Sequence, residues 1–198
     1  MDFTRFVLQE LPPAPARVLE VGCGEHGGVV PALLEAGYDA IGVDPEAPAG
    51  ERFRRVDFRE VDGTFDAVVA GRVLHHLFPL GEAVDRLSSL APLLIVDEFA
   101  WDLIDPELEA WYDARRGELA EPKGPESVDE WRSRHASELH PHGVVLDALR
   151  TRYDERVLEW RPYLHRWLAD DVPSPDRIGY QWAGVAKTST TRISAESR

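Results

Sequence analysis

The stretch VLEVGCGEHGG, Val18 to Gly28, decides how this chain is read. It begins inside an apolar run, Arg17–Val21 (RVLEV), bounded by Pro15 and Gly22. Such a run suits a strand of a parallel sheet, which is covered on both faces and favours near-continuous branched side chains. Glycines follow at once. A glycine at a strand end permits a tight turn, and a second lets backbone approach a ligand with no Cβ in the way. The next apolar segment, Val29–Ala36, has helical spacing and ends at Gly37. A helix start offers unpaired N–H groups and a positive dipole end to an anion. About 20 residues beyond such a loop, a carboxylate closing the next strand can take both hydroxyls of a ribose. Asp44, after Asp39–Val43 (DAIGV), stands in that place. Strand, glycines and acidic strand end together make a glycine turn without a ligand a weak explanation.

Working outward, residues 3–11 predict a short helix, with Phe3, Phe6, Val7 and Leu11 at helical spacing and Pro12-Pro13 to stop it. Phe53–Phe58, Phe65–Ala70 (FDAVVA) and Pro92–Asp97 (PLLIVD) read as third, fourth and fifth strands, with helix-like stretches between most of them, notably Leu80–Leu90. Short apolar runs alternating with helices predict an α/β fold whose mostly parallel sheet is joined by right-handed crossovers. After Asp97 the character changes. Residues 99–169 are helix-like and charged, broken by GELAEPKGPES (117–127), and all six Trp lie after residue 100. Most of these rings are expected to pack this segment onto the sheet, yet such apolar area also suits a cover over an organic ligand. Arg156–Trp160 and Gln181–Ala186 are the candidate last strands, the second antiparallel. The polar end TSTTRISAESR (188–198) has almost nothing to bury and is expected to fray. One domain over 1–187, with 99–169 as a helical lid, is the expected organisation.

The 198 residues suffice for one α/β domain with its own core and are few for two catalytic domains. Hydrophobic residues at 43% and charged residues at 29% place the chain among ordinary globular proteins. Lys and Arg number 22 against 36 Asp and Glu, a net charge of −14. A phosphate polyanion would meet a repulsive field, since duplex binding is driven largely by cationic contacts, so nucleic acid is not the expected partner. The single Cys23 leaves no internal disulfide and fits a reducing compartment. No apolar run approaches the roughly 20 residues that cross a bilayer, and MDFTRFVLQELPPAP lacks the apolar core of a secretion signal. A cytoplasmic protein with no membrane partner is expected.

Gly22, Gly24 and Gly27 formally satisfy G-x-G-x-x-G, so a nicotinamide-dependent oxidoreductase competes, and glycines alone do not decide. Glu20 and the later segments break the tie. LEVGCGEHG (19–27), GVDPE (42–46), RRVDF (54–58), FDAVVAGRVLHHL (65–77) and PLLIVDEF (92–99) follow one another in a familiar order. Over roughly residues 16–98 the chain resembles the class I S-adenosylmethionine-dependent methyltransferases. The resemblance implies a Rossmann-like, mostly parallel sheet of seven strands in the order 3-2-1-4-5-7-6, with strand seven antiparallel. It implies S-adenosylmethionine as cofactor. Glu20 would fix the loop or face the ligand's amino end through water, and the backbone of Gly22 and Gly24 would line its methionine part. Asp44 would bind the ribose diol. Asp57 would accept from the adenine amino group, with Phe58 giving a backbone donor or stacking, and the plain alternative for Asp57 is an exposed strand-end carboxylate. Gly71 and Arg72 would border the methyl donor. One departure stands out: the family's third glycine falls two after the second, where this chain has His26, with Gly27 and Gly28 next to restore the opening.

Methyl transfer from a sulfonium is an in-line displacement, which needs alignment, exclusion of water and, for a hydroxyl, removal of a proton. Histidine suits that last task near neutral pH. His76 is the first candidate and His75 the second, with capping or packing as the competing role of each. Asp97 and Glu98 close the fifth strand at the sheet edge where ligands of open α/β sheets bind. Glu98, Trp101, His140 and Tyr163 are candidate substrate contacts, with His135 and His142 in the same segment and surface roles competing. Glu138, His140 and His142 form a loose E-x-H-x-H cluster broken by Pro141, which favours a surface loop over a metal site. Gly71-Arg72 stands where metal-dependent catechol methyltransferases place an Asp, and the Asn/Asp-Pro-Pro-aromatic motif of base-modifying enzymes is absent there. The expected activity is methyl transfer to oxygen or nitrogen of a small organic molecule, without a metal. An oxidoreductase would need a Tyr-x-x-x-Lys pair or a second catalytic domain, and Lys123 and Lys187 have no such tyrosine. A methyltransferase-like protein that binds without catalysing is the remaining alternative.

Overall fold

Each apolar run becomes a strand in the computed structural model, which describes residues 2–119, 121, 123–169 and 172–188. The strands are β1 (Arg17–Val21), β2 (Asp39–Val43), β3 (Phe53–Arg54), β4 (Ala67–Gly71), β5 (Leu93–Phe99), β6 (Tyr153–Arg161) and β7 (Gly179–Ala186). They form one sheet in the order β3-β2-β1-β4-β5-β7-β6. β7 runs antiparallel to both its neighbours, while the pairs from β3 to β5 are parallel. This is the order and sense expected from the resemblance.

Side chains alternate across a strand, and the alternation here feeds two cores. Leu19, Val21, Val68, Ala70, Leu94 and Val96 join one buried cluster, whereas Val18, Ala67, Val69, Leu93 and Ile95 join the other. Helices α1 (Phe3–Glu10) and α2 (Val30–Glu35) cover the second face through Phe6, Val7, Val30 and Leu33. On the first face, α3 (Leu80–Leu90) packs beside a helix from later in the chain, His142–Arg152. Register then sets the site: Val21 pairs with Ala70, Ala70 with Val96 and Gly71 with Asp97. The carboxyl ends of β1, β4 and β5 therefore lie level on one edge.

Two expectations change. The third strand stops at Arg54 rather than running to Phe58. Asp57 instead caps a 3-10 turn, Phe58–Glu60, through a capping box with Glu60, and the Phe58 ring turns into the core. The segment 99–169 is not helical throughout. Beyond a 3-10 turn at Trp101–Leu103 it holds α4 (Pro106–Gly117), α5 (Val128–His135) and α6 (His142–Arg152). The last of these is a sheet-flanking helix, and β6 follows it directly. Trp160 and Trp182 belong to the sheet, with Trp182 wholly buried and its Nε1–H donated to Glu155. Trp101, Trp111, Trp131 and Trp167 join a third core with Phe99, Tyr112 and Tyr163, formed by α4, α5 and the 3-10 turn Leu164–Trp167. Among the described residues no helix is long and apolar enough to cross a membrane. Of the polar end 188–198, all but Thr188 lies outside the described residues.

Candidate active site

Glu20 organises the glycine loop from beneath. It is only 3% exposed, and its Oε2 accepts from the N–H groups of Val29 (2.8 Å) and Val30 (3.1 Å) at the start of α2. Burial outweighs those two hydrogen bonds and pushes its carboxyl up to about 7. Gly28 makes the approach possible: a Cβ there would lie 2.1 Å from Glu20 Oε1, and its φ is +54°. The first N–H groups of α2 thus already have an acceptor inside the protein, contrary to the expectation that they face a ligand's anion. Asp44 ties the loop to β2. Its Oδ2 accepts from Gly24 N–H (3.0 Å) and its Oδ1 from Glu46 N–H (2.7 Å).

Asp57 is half-buried, accepts from Arg59 N–H (2.8 Å) and pairs with the Arg59 guanidinium at 3.1 Å. The Phe58 ring is buried and covered by that guanidinium, 4.8 Å away, so it is not free to stack on a base. Only its backbone N–H, at the first position of the turn, remains for a ligand.

Two cavities meet at the end of β4. The first, about 610 Å3, is bounded by Gly22, Gly24, Gly28 and Glu20 of the loop, with Phe3 of α1 and Glu46. His26 lies on its exposed wall. The second, about 410 Å3, is lined by Phe99, Trp131, Tyr163 and Trp167 and by His75, His76 and His135. Gly71 and Arg72 line both. Among the described residues Arg72 is the one non-glycine with positive φ, at 58°, and its N–H donates to Asp97 O at 2.6 Å. A side chain held in this sparsely populated region marks a junction that the surroundings over-determine.

The carboxylates ending β5 diverge. Asp97 lines the first cavity, where Arg166 Nη1 lies 2.8 Å from Oδ2 and Gln181 Nε2 lies 3.3 Å from Oδ1. Burial raises its carboxyl pKa, against the opposing pull of Arg166. Glu98 is wholly buried beneath the second cavity: Oε1 accepts from Leu74 N–H (2.6 Å), and Oε2 meets His75 Nδ1 at 2.5 Å. His75 is itself buried, yet its ring forms part of the cavity wall. His76 is exposed, with its ring 4.1 Å from that of His75, and partial burial followed by the His75 charge lowers its pKa. Of the two histidines, His75 is the one held in a fixed orientation, by Glu98.

The other substrate candidates separate. Tyr163 lines the second cavity, stacked on Phe99 at 4.2 Å and 5°, and burial pushes its hydroxyl up to about 12. Trp101 and His140 line neither cavity. The Trp101 Nε1–H donates to His140 O (3.1 Å), while His140 N–H donates to His75 O and its ring contacts Leu77 O. These two fasten the segment after β5 to the turn after β4. His142 pairs with Asp102 at 2.8 Å, so the E-x-H-x-H stretch does not converge. Among the described residues no group of three or more His, Cys, Asp or Glu is placed to hold a metal. Sequence reasoning missed Phe99, Arg166 and Phe3 as lining residues, and counted Trp131 and Trp167 only among the rings of the segment as a whole. Trp131 and His135 share a helix face at i, i+4 and their rings stack at 5.1 Å, a spacing visible in the sequence.

Fold and edge-placed cavities define a class I methyltransferase architecture. The chain matches the family described as "Methyltransferase domain" over residues 1–166, and it belongs to that family. No curated protein sequence matches it. Among solved structures it is similar to the PH0226 protein of Pyrococcus horikoshii OT3, at 17% identity and TM-score 0.59, covering 93% of this chain and 88% of that one. It is also similar to Burkholderia thailandensis 1,6-didemethyltoxoflavin-N1-methyltransferase, solved with 1,6-didemethyltoxoflavin and S-adenosylhomocysteine (20% identity, TM-score 0.57, 87% and 72% covered). A third is magnesium protoporphyrin IX methyltransferase from Synechocystis PCC 6803 with bound S-adenosylhomocysteine (18%, TM-score 0.58, 93% and 80%).

Proposed function

We propose that this chain transfers a methyl group from S-adenosylmethionine to oxygen or nitrogen of a small organic molecule. One observation carries the proposal: a glycine-loop cavity and an aromatic cavity share the wall made by Gly71 and Arg72. When bound, S-adenosylmethionine supplies an electrophilic methyl carbon. The residues of the first cavity fit such a ligand. Gly24, where a Cβ would meet nothing within 4 Å, borders open space, and Glu20, Glu25 and Glu46 set an acidic lining for its ammonium, sulfonium and ribose hydroxyls. Asp44 would share its oxygens between the loop and the ribose, a carboxylate having lone pairs enough for both. Asp57 and the Phe58 N–H would receive the adenine edge. Gly71 and Arg72 would hold the methyl at the shared wall, and α4, α5 and Tyr163 would act as the lid that selects the acceptor and excludes water.

A nicotinamide cofactor places its pyrophosphate at a helix N-terminus. Here Glu20 already takes the N–H groups of Val29 and Val30, and a second carboxylate-rich wall faces the opening. That favours a cationic ligand over a polyphosphate. The −14 charge and the small aromatic cavity support a small acceptor rather than nucleic acid, and the lone buried Cys23 suits a cytoplasmic setting. Calorimetry on the purified chain tests the core of this reading. S-adenosylmethionine or S-adenosylhomocysteine should bind at least tenfold more tightly than NAD, and NAD binding without either sulfur ligand would sink the proposal.

A further inference from the structure

The geometry points to an acceptor class: a phenol, deprotonated by His75 with Glu98 as its positioning residue. This assignment rests on the methyltransferase reading above and narrows it. Four observations converge in the second cavity. Its walls are rings, with Phe99 and Tyr163 stacked in parallel and, beside them, Trp131 and Trp167 tilted to each other at 5.1 Å. A cavity of about 410 Å3 so lined fits a flat ligand of one or two rings, held by offset and edge contacts. Beneath it lies a built hydrogen-bond relay. Glu98, with both oxygens engaged and no exposed side-chain surface, receives Leu74 N–H and the Nδ1 of His75. A carboxylate at Nδ1 fixes the tautomer with the proton there, which leaves Nε2 as an acceptor on the other edge of a ring that lines the cavity. Lastly, the Arg72 guanidinium stands at the wall shared with the donor cavity and favours negative charge arising on an acceptor oxygen.

Chemistry chooses among acceptors. An amine nitrogen attacks with its own lone pair and sheds its proton afterwards, and a carboxylate carries no proton to remove, so neither needs a buried base. A hydroxyl does. A phenol, near pKa 10, gives its proton to a neighbouring base far more readily than an aliphatic alcohol near water's 15.7. Only the phenol lies within practical reach, and only a flat ring uses the aromatic walls. In the step, the phenol O–H bond breaks and its proton passes to His75 Nε2. The oxygen pair forms the O–CH3 bond as the C–S bond breaks, and the bonding electrons stay on sulfur to give the neutral thioether. His75, now cationic, is held by Glu98 until water takes the proton.

The test uses the full chain with S-adenosylmethionine and four matched acceptor sets: ring-substituted phenols of graded acidity, anilines, benzoates and cyclohexanols. S-adenosylhomocysteine and methylated product are read by mass spectrometry. Phenols should turn over at least tenfold faster than the other sets. His75→Gln should lower kcat by roughly 10²–10⁴ on weakly acidic phenols and much less on nitrophenols that are already ionised. Glu98→Gln keeps an oxygen for Leu74 N–H but presents its amide to Nδ1, which forces the proton onto Nε2. It should lower kcat with KM little changed and show the same rescue by acidic phenols, a pattern that mere loosening of the fold does not give. S-adenosylmethionine affinity, measured separately, should stay within twofold in both variants. Preference for anilines or benzoates, or an equal loss on every phenol, would overturn the assignment. Cofactor binding without phenol turnover overturns the acceptor class alone, and failure of the wild type to bind S-adenosylmethionine overturns the parent reading with it.

Discussion

Replacing Glu20 by glutamine should change how stability depends on pH, by an amount the geometry sets. The carboxyl lies 3% exposed under the glycine loop, and its pKa rises from 4.5 to about 7, with burial the dominant cause. Between those values the folded state binds more protons at this site than the unfolded state. The site's stabilising contribution is thus present below pH 4.5 and is lost as pH rises through 7. At about 1.36 kcal/mol per pKa unit, and allowing for partial titration at pH 5, the change from pH 5 to pH 8 is about 2–3 kcal/mol. The glutamine side chain of Glu20→Gln would keep an oxygen for the Val29 and Val30 N–H groups and has no proton to lose. Urea melts of both proteins at pH 5 and pH 8 read the effect directly. The stability of the variant relative to wild type should rise by about 2–3 kcal/mol across that range, or roughly 5–10 °C in Tm for a domain of this size. Parallel pH profiles would refute the placement of an ionisable Glu20 in the buried space beneath the loop.

Three further outcomes follow from the same geometry. Asp44→Ala should weaken S-adenosylmethionine binding by about 1.5–3 kcal/mol, the scale of hydrogen bonds to a charged group, and it also frees the Gly24 and Glu46 N–H groups that the carboxylate holds. An unchanged Kd in a folded variant would exclude it as a ribose ligand. Gly28→Ala should cost about 1–3 kcal/mol, because a Cβ meets Glu20 Oε1 at 2.1 Å on a backbone with positive φ; thermal melts showing wild-type stability would contradict the packing of the loop on Glu20. Trp131→Ala should impair acceptor turnover with cofactor affinity unchanged, whereas Trp101→Ala, which removes a buried ring fastened to His140, should lower stability by about 3–5 kcal/mol. The reverse pattern in steady-state kinetics and melts would show the two rings to be misassigned.

Much of the sheet was legible because its signal is local. RVLEV, DAIGV and FDAVVA are short runs dense in branched residues, and each is bounded by Gly, Pro or a charge. The short third strand was also legible in part. Asp57-Phe58-Arg59-Glu60 is a capping-box pattern, and the box, rather than a strand running on to Phe58, governs the chain after Arg54. In 99–169 the candidate strand Arg156–Trp160 was legible, whereas its start was not: β6 begins at Tyr153, where YDER puts charges on exposed positions at the sheet's edge beside β7. The aromatic cavity was least legible. Phe99, Trp131, Tyr163 and Trp167 come from elements far apart along the chain, and only tertiary packing brings their rings together. The pairing of His75 with Glu98 is of the same kind. It depends on the β4–β5 register that places Gly71 opposite Asp97, which no local pattern records.

That register explains how one strand end serves both halves of the proposed reaction. Successive side chains of a strand point to opposite faces. Asp97 therefore turns into the glycine-loop cavity, with Arg166 and Gln181 satisfying its oxygens, while Glu98 turns the other way to hold Leu74 and His75 under the aromatic cavity. The adjacent pair is thus split by the pleat, not arranged as one acidic cluster. Arg72, whose N–H bonds to the Asp97 carbonyl, fixes the neighbouring strand end to the same residue from the β4 side. A rigid edge of this kind fixes the two cavities relative to each other through backbone hydrogen bonds. An in-line displacement depends on just that geometry, since its rate is sensitive to misplacement of about 1 Å between the reacting atoms. On the proposed reading, selection of the acceptor would vary in α5 and the turn at Leu164–Trp167, which line the second cavity, without disturbing the edge where the atoms meet.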